Sequence, residues 1–384
     1  MSQQTFAILA INPGSTSTRI AVYEDEALMF DKKINHPADS LKDYASNVAQ
    51  FPLRRAAIRA ALEEEGFDVH RLAAVAGRGG KLPPVRQGAY TIDEGMVDFL
   101  THRPIDDHAS NLGGLLAHDI ARPLGIPAYI YDAVVMDQME AMARLSGLPE
   151  IRRKASCHAL NMRAMAIKAA KNHGWDLKEK NIIVSHMGAG ISATVIHEGR
   201  MIDVITDEEG PYSPERSGGL PNRQLIDLCF GGEHDRLSAT RRTRGRGGLM
   251  AYLGTNDALE VERRITAGDE KARLIYDGMA YQVAKHIASL AAVVSGKVDL
   301  VVITGALAHS PYLMERIVPR VSFLAQVDVL PGENELEHWP TAYSVFCDRK
   351  KSPTPLWKAR PTAPTINTSP AASRTAHAPR AAGA

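Results

Sequence analysis

The sequence of 384 residues contains few cysteines, little net charge and no long apolar run, and each of these absences excludes a class of protein. Its three cysteines, Cys157, Cys229 and Cys347, are odd in number and widely spaced, which argues against a disulfide framework or a zinc site and for a reducing, cytoplasmic location. A formal net charge of +1 argues against a protein that binds nucleic acid or membrane surfaces. We also expect neither a membrane span nor a signal peptide, since no apolar stretch has the required length or flanks.

Two common phosphate-binding patterns are missing as well. The sequence contains neither the P-loop pattern Gly-x4-Gly-Lys-Ser/Thr nor a protein-kinase catalytic loop. It does contain, within residues 6–23, two apolar runs joined by "NPGSTSTR". An ordinary hairpin needs only a tight pair such as Asn-Gly. This longer turn, rich in hydroxyls and backbone donors, is typical of a site for phosphate oxygens.

A second segment repeats this pattern about half a chain later. When "AINPGSTSTRIAVY" is set against "VSHMGAGISATVIH", Asn12 falls on His186, and Gly14 falls on Gly188. Both segments run from a strand through a polar residue, a glycine and small residues into another strand. The pattern predicts two copies of one unit whose facing hairpins could clamp a polyphosphate. The alternative is a pair of tight turns in two sheets.

Strand and helix patterns alternate along the chain. Apolar strands such as "FAILAIN", "RLAAVAG" and "VDLVVITGAL" are separated by segments with helical spacing, among them "LRRAAIRAALEEEG" and "EKARLIYDGMAYQVAKHIASLAAVVSG". This alternation predicts an α/β fold with a largely parallel sheet. The length favours two domains, which we place at residues 1–150 and 151–331, followed by an atypical tail at 332–384.

The motifs resemble those of the acetate and butyrate kinases. "NPGSTSTR" is similar to the family's first signature, Asn-x-Gly followed by Ser and Thr residues and a basic residue, and "HMGAGISATVIHEG" is similar to the second, His-x-Gly-x-Gly-x-Ser. Ala189 and "GGLMAYLGTNDALEVERRI" resemble the butyrate branch. The resemblance covers roughly residues 6–337. It implies two ribonuclease-H-like domains of the actin, sugar-kinase and chaperone ATPase superfamily, with ATP in the cleft between them.

The resemblance also implies a set of nucleotide-binding residues. From the first signature these are Asn12, Gly14, Ser15, Ser17 and Arg19, with Arg19 at the place of a lysine in acetate kinases. From the second signature they are His186, Gly188 and Gly190. Gly305 in "VVITGAL" is expected beside the nucleotide, although a buried strand can also end in glycine for the sake of its turn.

Phosphoryl transfer to a carboxylate needs cations and hydrogen-bond donors placed around the group in flight, together with Mg2+. The family match gives this catalytic role to His158, Arg216 and Arg78. It gives the metal to Asp132 and Glu335, since a hard cation held by one or two carboxylates and by phosphates fits Mg2+. On residue type alone, His158 could instead make a local bond at a helix N-terminus, and Arg216 could be a solvated surface charge.

The implied function is that of a short-chain carboxylate kinase, closest to butyrate kinase (ATP + butanoate ⇌ butanoyl phosphate + ADP). Isobutyrate, acetate and propionate stay open as substrates, because a methylene group changes pocket affinity by only about 1–3 kcal/mol. A nucleotide-switched binding protein of the same superfamily is the alternative from another class. We expect a homodimer or larger homo-oligomer without a nucleic-acid or membrane partner. The basic run at residues 241–248 lacks interleaved aromatic residues and is interpreted as a solvated loop.

The resemblance stops before the C-terminus. From about His338 onward the chain is rich in Pro, Thr, Ser and Ala without a helical period, and we expect this tail to be disordered. If Glu337 is encoded by GAG, reading one base earlier turns the following His-Trp-Pro into Ala-Leu-Ala. The shifted frame then allows "ELEALAYGVFRVLR", whose apolar residues have helical spacing. We therefore interpret the tail as the product of a frameshift, in the gene or in its sequencing.

Overall fold

The structure is a computed structural model, which describes residues 6–25, 27–83, 89–131 and 137–332. The first sheet consists of β1 (Ala7–Pro13), β2 (Ser17–Glu24), β3 (Ala27–Asn35), β4 (Leu72–Arg78), β5 (Ala89–Thr91) and β6 (Ala128–Tyr131). Their order across the sheet is β3-β2-β1-β4-β6-β5. The apolar strand β1 lies inside the sheet and is almost wholly buried, whereas β3, which carries Asp31, Lys32 and Lys33, forms an exposed edge.

The helices in this half of the chain are α1 (Ala38–Leu41), α2 (Phe51–Glu64), α3 (Glu94–His102) and α4 (Asn111–Leu124). Residues of α2, α3 and α4 form a common core with one face of this sheet. Helix α4 lies so close to β4 that a Cβ atom on Gly77 would stand only 2.0 Å from the carbonyl oxygen of Gly113. Only glycine permits this approach. The close packing fixes the end of β4, where Arg78 lies.

The second sheet is built from the later half of the chain. Its strands are β7 (Ile182–Met187), β8 (Ile191–His197), β9 (Arg200–Ile205), β10 (Leu300–Gly305) and β11 (Gln326–Pro331). The surrounding helices are α5 (Ala159–Asn172), α6 (Asn222–Phe230), α7 (Arg236–Thr243), α8 (Gly248–Leu253), α9 (Ala258–Thr266), α10 (Glu270–Ala291) and α11 (Pro311–Val321). Helix α5 contributes to the core on one face of the sheet, and α10 and α11 contribute to the core on the other.

The two sheets have a similar strand topology. Each starts with an antiparallel meander of three strands, and the next strands are added in parallel beside the first strand of the meander. This repeat agrees with the two copies of one unit that the sequence predicts. The expectation of a largely parallel sheet is wrong, however, because both sheets are mixed. Short hairpin turns force the antiparallel pairs of the two meanders, and the strands β4, β6, β10 and β11, reached through helices, are added in parallel. At the far edge of the first sheet, β5 pairs antiparallel with β6.

Residues 139–144 pack with the second sheet. Met139 belongs to the core beneath α5, and the Glu140 amide donates a 2.9 Å hydrogen bond to the Ile202 carbonyl. The predicted boundary at residue 150 assigns these residues to the first domain, and that boundary stays a prediction. The predicted tail lies outside the described residues from 333 onward. Among the helices that the structure describes, none has the length and apolarity needed to cross a membrane.

Candidate active site

The turn between β1 and β2 carries the first predicted phosphate site. A 2.8 Å hydrogen bond from the Gly14 amide to the Ser17 carbonyl closes it, and its tip at residues 15–16 is exposed. At the end of β1, the Asn12 Oδ1 atom accepts a 3.2 Å hydrogen bond from Nη1 of Arg78. The parallel strands β1 and β4 therefore bring Asn12 and Arg78 together at one edge of the sheet.

Arg19 lies opposite Asn12 in the β1–β2 register. Its guanidinium forms an ion pair with Asp31 on β3, with Nε 2.8 Å from Oδ1. In this structure the positive charge of Arg19 is therefore paired with Asp31 at the side of the sheet. Its expected contact with phosphate requires the Asp31 ion pair to open or to be shared.

The turn between β7 and β8 carries the second predicted site. The Gly188 amide donates a 3.0 Å hydrogen bond to the Gly190 carbonyl. The carbonyl of Ala189 at the tip accepts hydrogen bonds from the Ser213 hydroxyl at 2.6 Å and from the Glu215 amide at 3.4 Å. The loop after β9 thus holds this turn from behind.

Arg216 follows in the same loop and is not a solvated surface charge. Its guanidinium forms an ion pair with Asp207, and the two side chains are 18% and 13% exposed. A Cβ atom on Gly190 would stand 3.0 Å from Asp207 Oδ2 and 3.5 Å from Arg216 Cζ. Arg216 Nε is buried without a hydrogen-bond partner among the described residues. A donor-bearing cation therefore lies directly against the second glycine turn.

Two histidine rings meet beside this turn. His158 precedes helix α5, His186 lies near the end of β7, and their rings stack with centroids 4.0 Å apart. His158 Nδ1 lies 2.8 Å from the Ser192 hydroxyl, which also accepts a 3.4 Å hydrogen bond from the His158 amide. If that hydroxyl donates to Nδ1, the neutral His158 ring carries its proton on Nε2, where it can be donated to a ligand.

His186 is held in a different state. Its Nδ1 lies 2.9 Å from Oδ1 of Asn161, whose amide nitrogen is 3.5 Å from the Gly332 carbonyl. Burial, and then the nearby His158 and Arg78, lower the pKa of His186 well below its ordinary value. The ring is therefore neutral at physiological pH, with Nε2 as an acceptor. The effect of Arg78 also shows that the first sheet brings its cation near the second turn.

Gly305 ends β10 in a conformation that favours glycine. Its φ is +92°, and a Cβ atom there would stand 2.4 Å from the Met187 carbonyl oxygen. The close approach of β10 to β7 explains this glycine without a ligand. Its expected position beside the nucleotide stays a prediction.

The two expected metal ligands, Asp132 and Glu335, lie outside the described residues. Within the described ranges, no three His, Cys, Asp or Glu side chains are grouped so that they could hold a metal ion. Cys157 lies next to His158 in the chain. Burial, followed by Asp207 and Asp137, raises the pKa of its thiol to about 12, so it is not a nucleophile at neutral pH.

Sequence reasoning missed several residues that support the site. They are Arg54, Asn161, Ser192, Asp207 and Ser213. A signal existed for Arg54, because it falls on the same helical stripe as the buried Ile58, Ala61 and Leu62. Ser192 is the last residue of the second signature, which did not reveal its contact with His158. Asn161, Asp207 and Ser213 gave no signal of their own.

Comparison with known proteins identifies the relatives of this chain. The acetokinase family profile matches residues 142–331. "Probable butyrate kinase 2" of Caldanaerobacter subterraneus subsp. tengcongensis is 44% identical over 333 residues, which cover 86% of this chain and 94% of that protein.

Solved structures support the fold. The crystal structure of Porphyromonas gingivalis acetate kinase is similar, with a TM-score of 0.71, 19% identity and coverage of 89% of this chain and 100% of that one. The crystal structure of a propionate kinase from Francisella tularensis is also similar, with a TM-score of 0.63 and 18% identity. The match covers 86% of this chain and 97% of that one. At these identities the similarity establishes the fold alone, and it confirms the predicted α/β class. With the identity to the Caldanaerobacter protein over nearly its whole length, it follows that the chain belongs to the acetokinase family.

Proposed function

We propose that this protein is a butyrate kinase, which transfers the terminal phosphoryl group of ATP to the carboxylate of a short-chain fatty acid. The observation that carries the proposal is the group formed by the stacked His158 and His186 rings, with Arg78 near His186 and Arg216 against Gly190, beside two glycine-containing turns. These are the donors and cations that an in-line phosphoryl transfer requires.

The two turns bind the phosphates of ATP in this proposal. Their tips, at residues 15–16 and 189–190, offer backbone N–H groups, and Ser15 adds an exposed hydroxyl. Asn12 and Arg78 lie at the base of the first turn, and Arg216 lies against the second.

His158 stabilises the phosphoryl group in flight. Ser192 orients the ring so that Nε2 can donate to a phosphoryl oxygen, while the neutral His186 supports its face. A carboxylate oxygen of the acid forms the new bond to the γ-phosphorus as the bond to the β,γ-bridging oxygen breaks, and the electron pair leaves with ADP. Arg216 and Arg78 offset the charge on the acid and on the transferred group.

Mg2+ is expected to accompany ATP, where it would neutralise phosphate charge. Its expected ligands, Asp132 and Glu335, lie outside the described residues. A cytoplasmic location and a homodimer or larger homo-oligomer belong to the same proposal.

Butyrate is the first choice of acid, supported by the name of the Caldanaerobacter relative. ADP release measured with a coupled assay, using acids of two to five carbons and isobutyrate, tests this choice. We expect release to require an acid and kcat/KM to be highest for a four-carbon acid. Binding of ATP without acid-dependent ADP release would favour the nucleotide-switched alternative.

A further inference from the structure

Arg54, at the start of α2, is a fully buried arginine that holds the first turn from behind. Its side chain is 0% exposed. Its guanidinium donates hydrogen bonds to the carbonyls of Gly14 (2.9 Å), Ser15 (3.0 Å) and Ser17 (3.0 Å), to Thr18 Oγ1 (3.1 Å) and to Gln50 Oε1 (2.8 Å). Nε also donates to Gln50 at 3.1 Å, so all three nitrogens are used. One side chain thus fixes the whole turn.

These bonds determine where the backbone amides of the turn point. In a planar trans peptide, the carbonyl and the following N–H point in opposite directions. Because the carbonyls of Gly14 and Ser15 are turned toward Arg54, the amides of Ser15 and Thr16 are turned away from it, toward the exposed side. Neither amide donates a hydrogen bond to another residue that the structure describes.

The second turn has the same arrangement, made by different groups. Ala189 corresponds to Ser15 when the two hairpins are aligned, and its carbonyl is held by Ser213 and Glu215. The amide of Gly190 is thereby turned away from the loop that holds it, and it too lacks an acceptor among the described residues. Two unrelated devices produce one result, which indicates that the outward amides have a use.

The charge of Arg54 is not neutralised locally. Among the described residues, no carboxylate forms an ion pair with it, and its hydrogen-bond partners are all neutral. A titratable group close to it is His36, whose Nε2 lies 2.9 Å from Thr18 Oγ1. Burial, and then Arg54 itself, lower the pKa of His36, so it carries no charge near pH 7. A buried cation without a counter-charge is unfavourable, and an anion bound at the outward amides would be the charge that compensates it.

We propose that Arg54 is a positioning residue for the nucleotide, which turns the Ser15 and Thr16 amides toward the polyphosphate and places a buried positive charge behind them. This inference rests on the proposed function for the identity of the polyphosphate as that of ATP. Arg54 itself does not touch the substrate. Through the oriented amides and its buried charge, Arg54 makes the first turn suitable for binding an anion, although the turn has no lysine at its tip.

The test compares binding of ATP and of adenosine, by calorimetry, to the full chain and to Arg54→Met and Arg54→Lys. Lysine keeps the charge, but its single ammonium group cannot reach all five acceptors. We expect Arg54→Met to weaken ATP binding on the order of tenfold to a hundredfold, Arg54→Lys to recover part of it, and adenosine binding to stay unchanged in both. The matched control is Arg55→Met on the same helix, whose side chain is 42% exposed; it should leave both affinities unchanged.

Each outcome separates the two proposals. ATP bound by Arg54→Met as tightly as by the parent chain would overturn the role of Arg54. Equal loss of ATP and adenosine binding in a folded Arg54→Lys variant would reduce that role to general stability and would overturn it as well. A parent chain that binds ATP, but transfers no phosphoryl group, contradicts only the proposed function. A parent chain that binds no ATP contradicts both.

Discussion

The imidazole rings of His158 and His186 lie nearly parallel, with centroids 4.0 Å apart and planes inclined by 17°. One ring comes from the start of α5 and the other from β7, and Ser192 and Asn161 hold their Nδ1 atoms. Two positive charges at this distance would repel each other strongly. Because the pKa of His186 is lowered well below its ordinary value, its ring stays neutral beside His158, the ring proposed to act on the phosphoryl group.

Replacing His158 should therefore affect chemistry more than binding. His158→Ala removes a donor to the phosphoryl oxygens, and loss of one such donor typically lowers turnover on the order of 100-fold or more. We expect that loss in kcat, measured by steady-state kinetics, with little change in the dissociation constant of ATP.

The matched control for this variant is His173→Ala, at the other end of the same helix, where the ring contacts Asp328 and Trp175. It should retain turnover. Near-normal turnover in His158→Ala would remove His158 from the mechanism, and an equal loss in both variants would indicate a general effect on α5.

Stability should fall as the pH drops below about 6.5. Burial is the largest cause that lowers the pKa of His36, His108 and His186 in the folded chain. The unfolded chain takes up protons on these rings near pH 6.5 while the folded chain does not, so acid favours unfolding. Between the pKa of each histidine in the unfolded chain and its lower pKa in the folded chain, the free energy of unfolding falls as the pH drops. Each histidine contributes at most about 1.4 kcal/mol per pH unit to this slope.

Urea unfolding between pH 7.5 and pH 5.5 measures this slope. His36→Gln keeps a hydrogen-bonding group near Thr18 but cannot be protonated, so it should reduce the slope. A free energy of unfolding that is constant or rises toward pH 5.5 would contradict the expected titration of these rings.

Two glycines with positive φ should respond differently to alanine. Gly66 has a φ of +62° and no heavy atom within 4 Å of an added Cβ, so Gly66→Ala should cost only about 1–2 kcal/mol of backbone strain. Gly305→Ala adds a clash at 2.4 Å with the Met187 carbonyl. This clash should destabilise the fold by about 1–3 kcal/mol more. Urea unfolding of the two variants tests this difference. Equal costs would show that β10 can move away from β7.

Much of the fold could be predicted from the sequence, because the signals for strands and helices depend on residues that are close together in the chain. Apolar periodicity and glycine stops predicted most of the strands and long helices, and the repeat of "NPGSTSTR" in "HMGAGIS" predicted the common wiring of the two sheets. It did not predict that those sheets are mixed, since strand direction depends on how each connection crosses the sheet.

For the site, residue type and motif spacing singled out His158, His186 and Arg216, but not what holds them. Ser192 is 34 residues from His158, and Asn161 is 25 residues from His186. Such pairs form only when strands and helices have packed. Arg54 is the exception, because a charge on the apolar stripe of α2 can be read from the sequence.

The C-terminal tail gives a prediction at the level of the gene. We propose that the reading frame shifts near codon 338. The alignment with the Caldanaerobacter kinase covers 94% of that protein but only 86% of this chain, so the larger unmatched portion belongs to this chain. Resequencing from codon 332 onward should reveal a shifted base, and a frame-restored chain should melt at a higher temperature. A clean read in the present frame, together with no gain in melting temperature, would contradict the proposal.

Trapping the acyl phosphate product tests the proposed function most directly. With ATP, Mg2+ and butyrate in the presence of hydroxylamine, the protein should form butyryl hydroxamate in equal amount to ADP, and His158→Ala should form it far more slowly. ATP consumed or bound without hydroxamate from any acid of two to five carbons, in both the present and the frame-restored chain, would contradict the account.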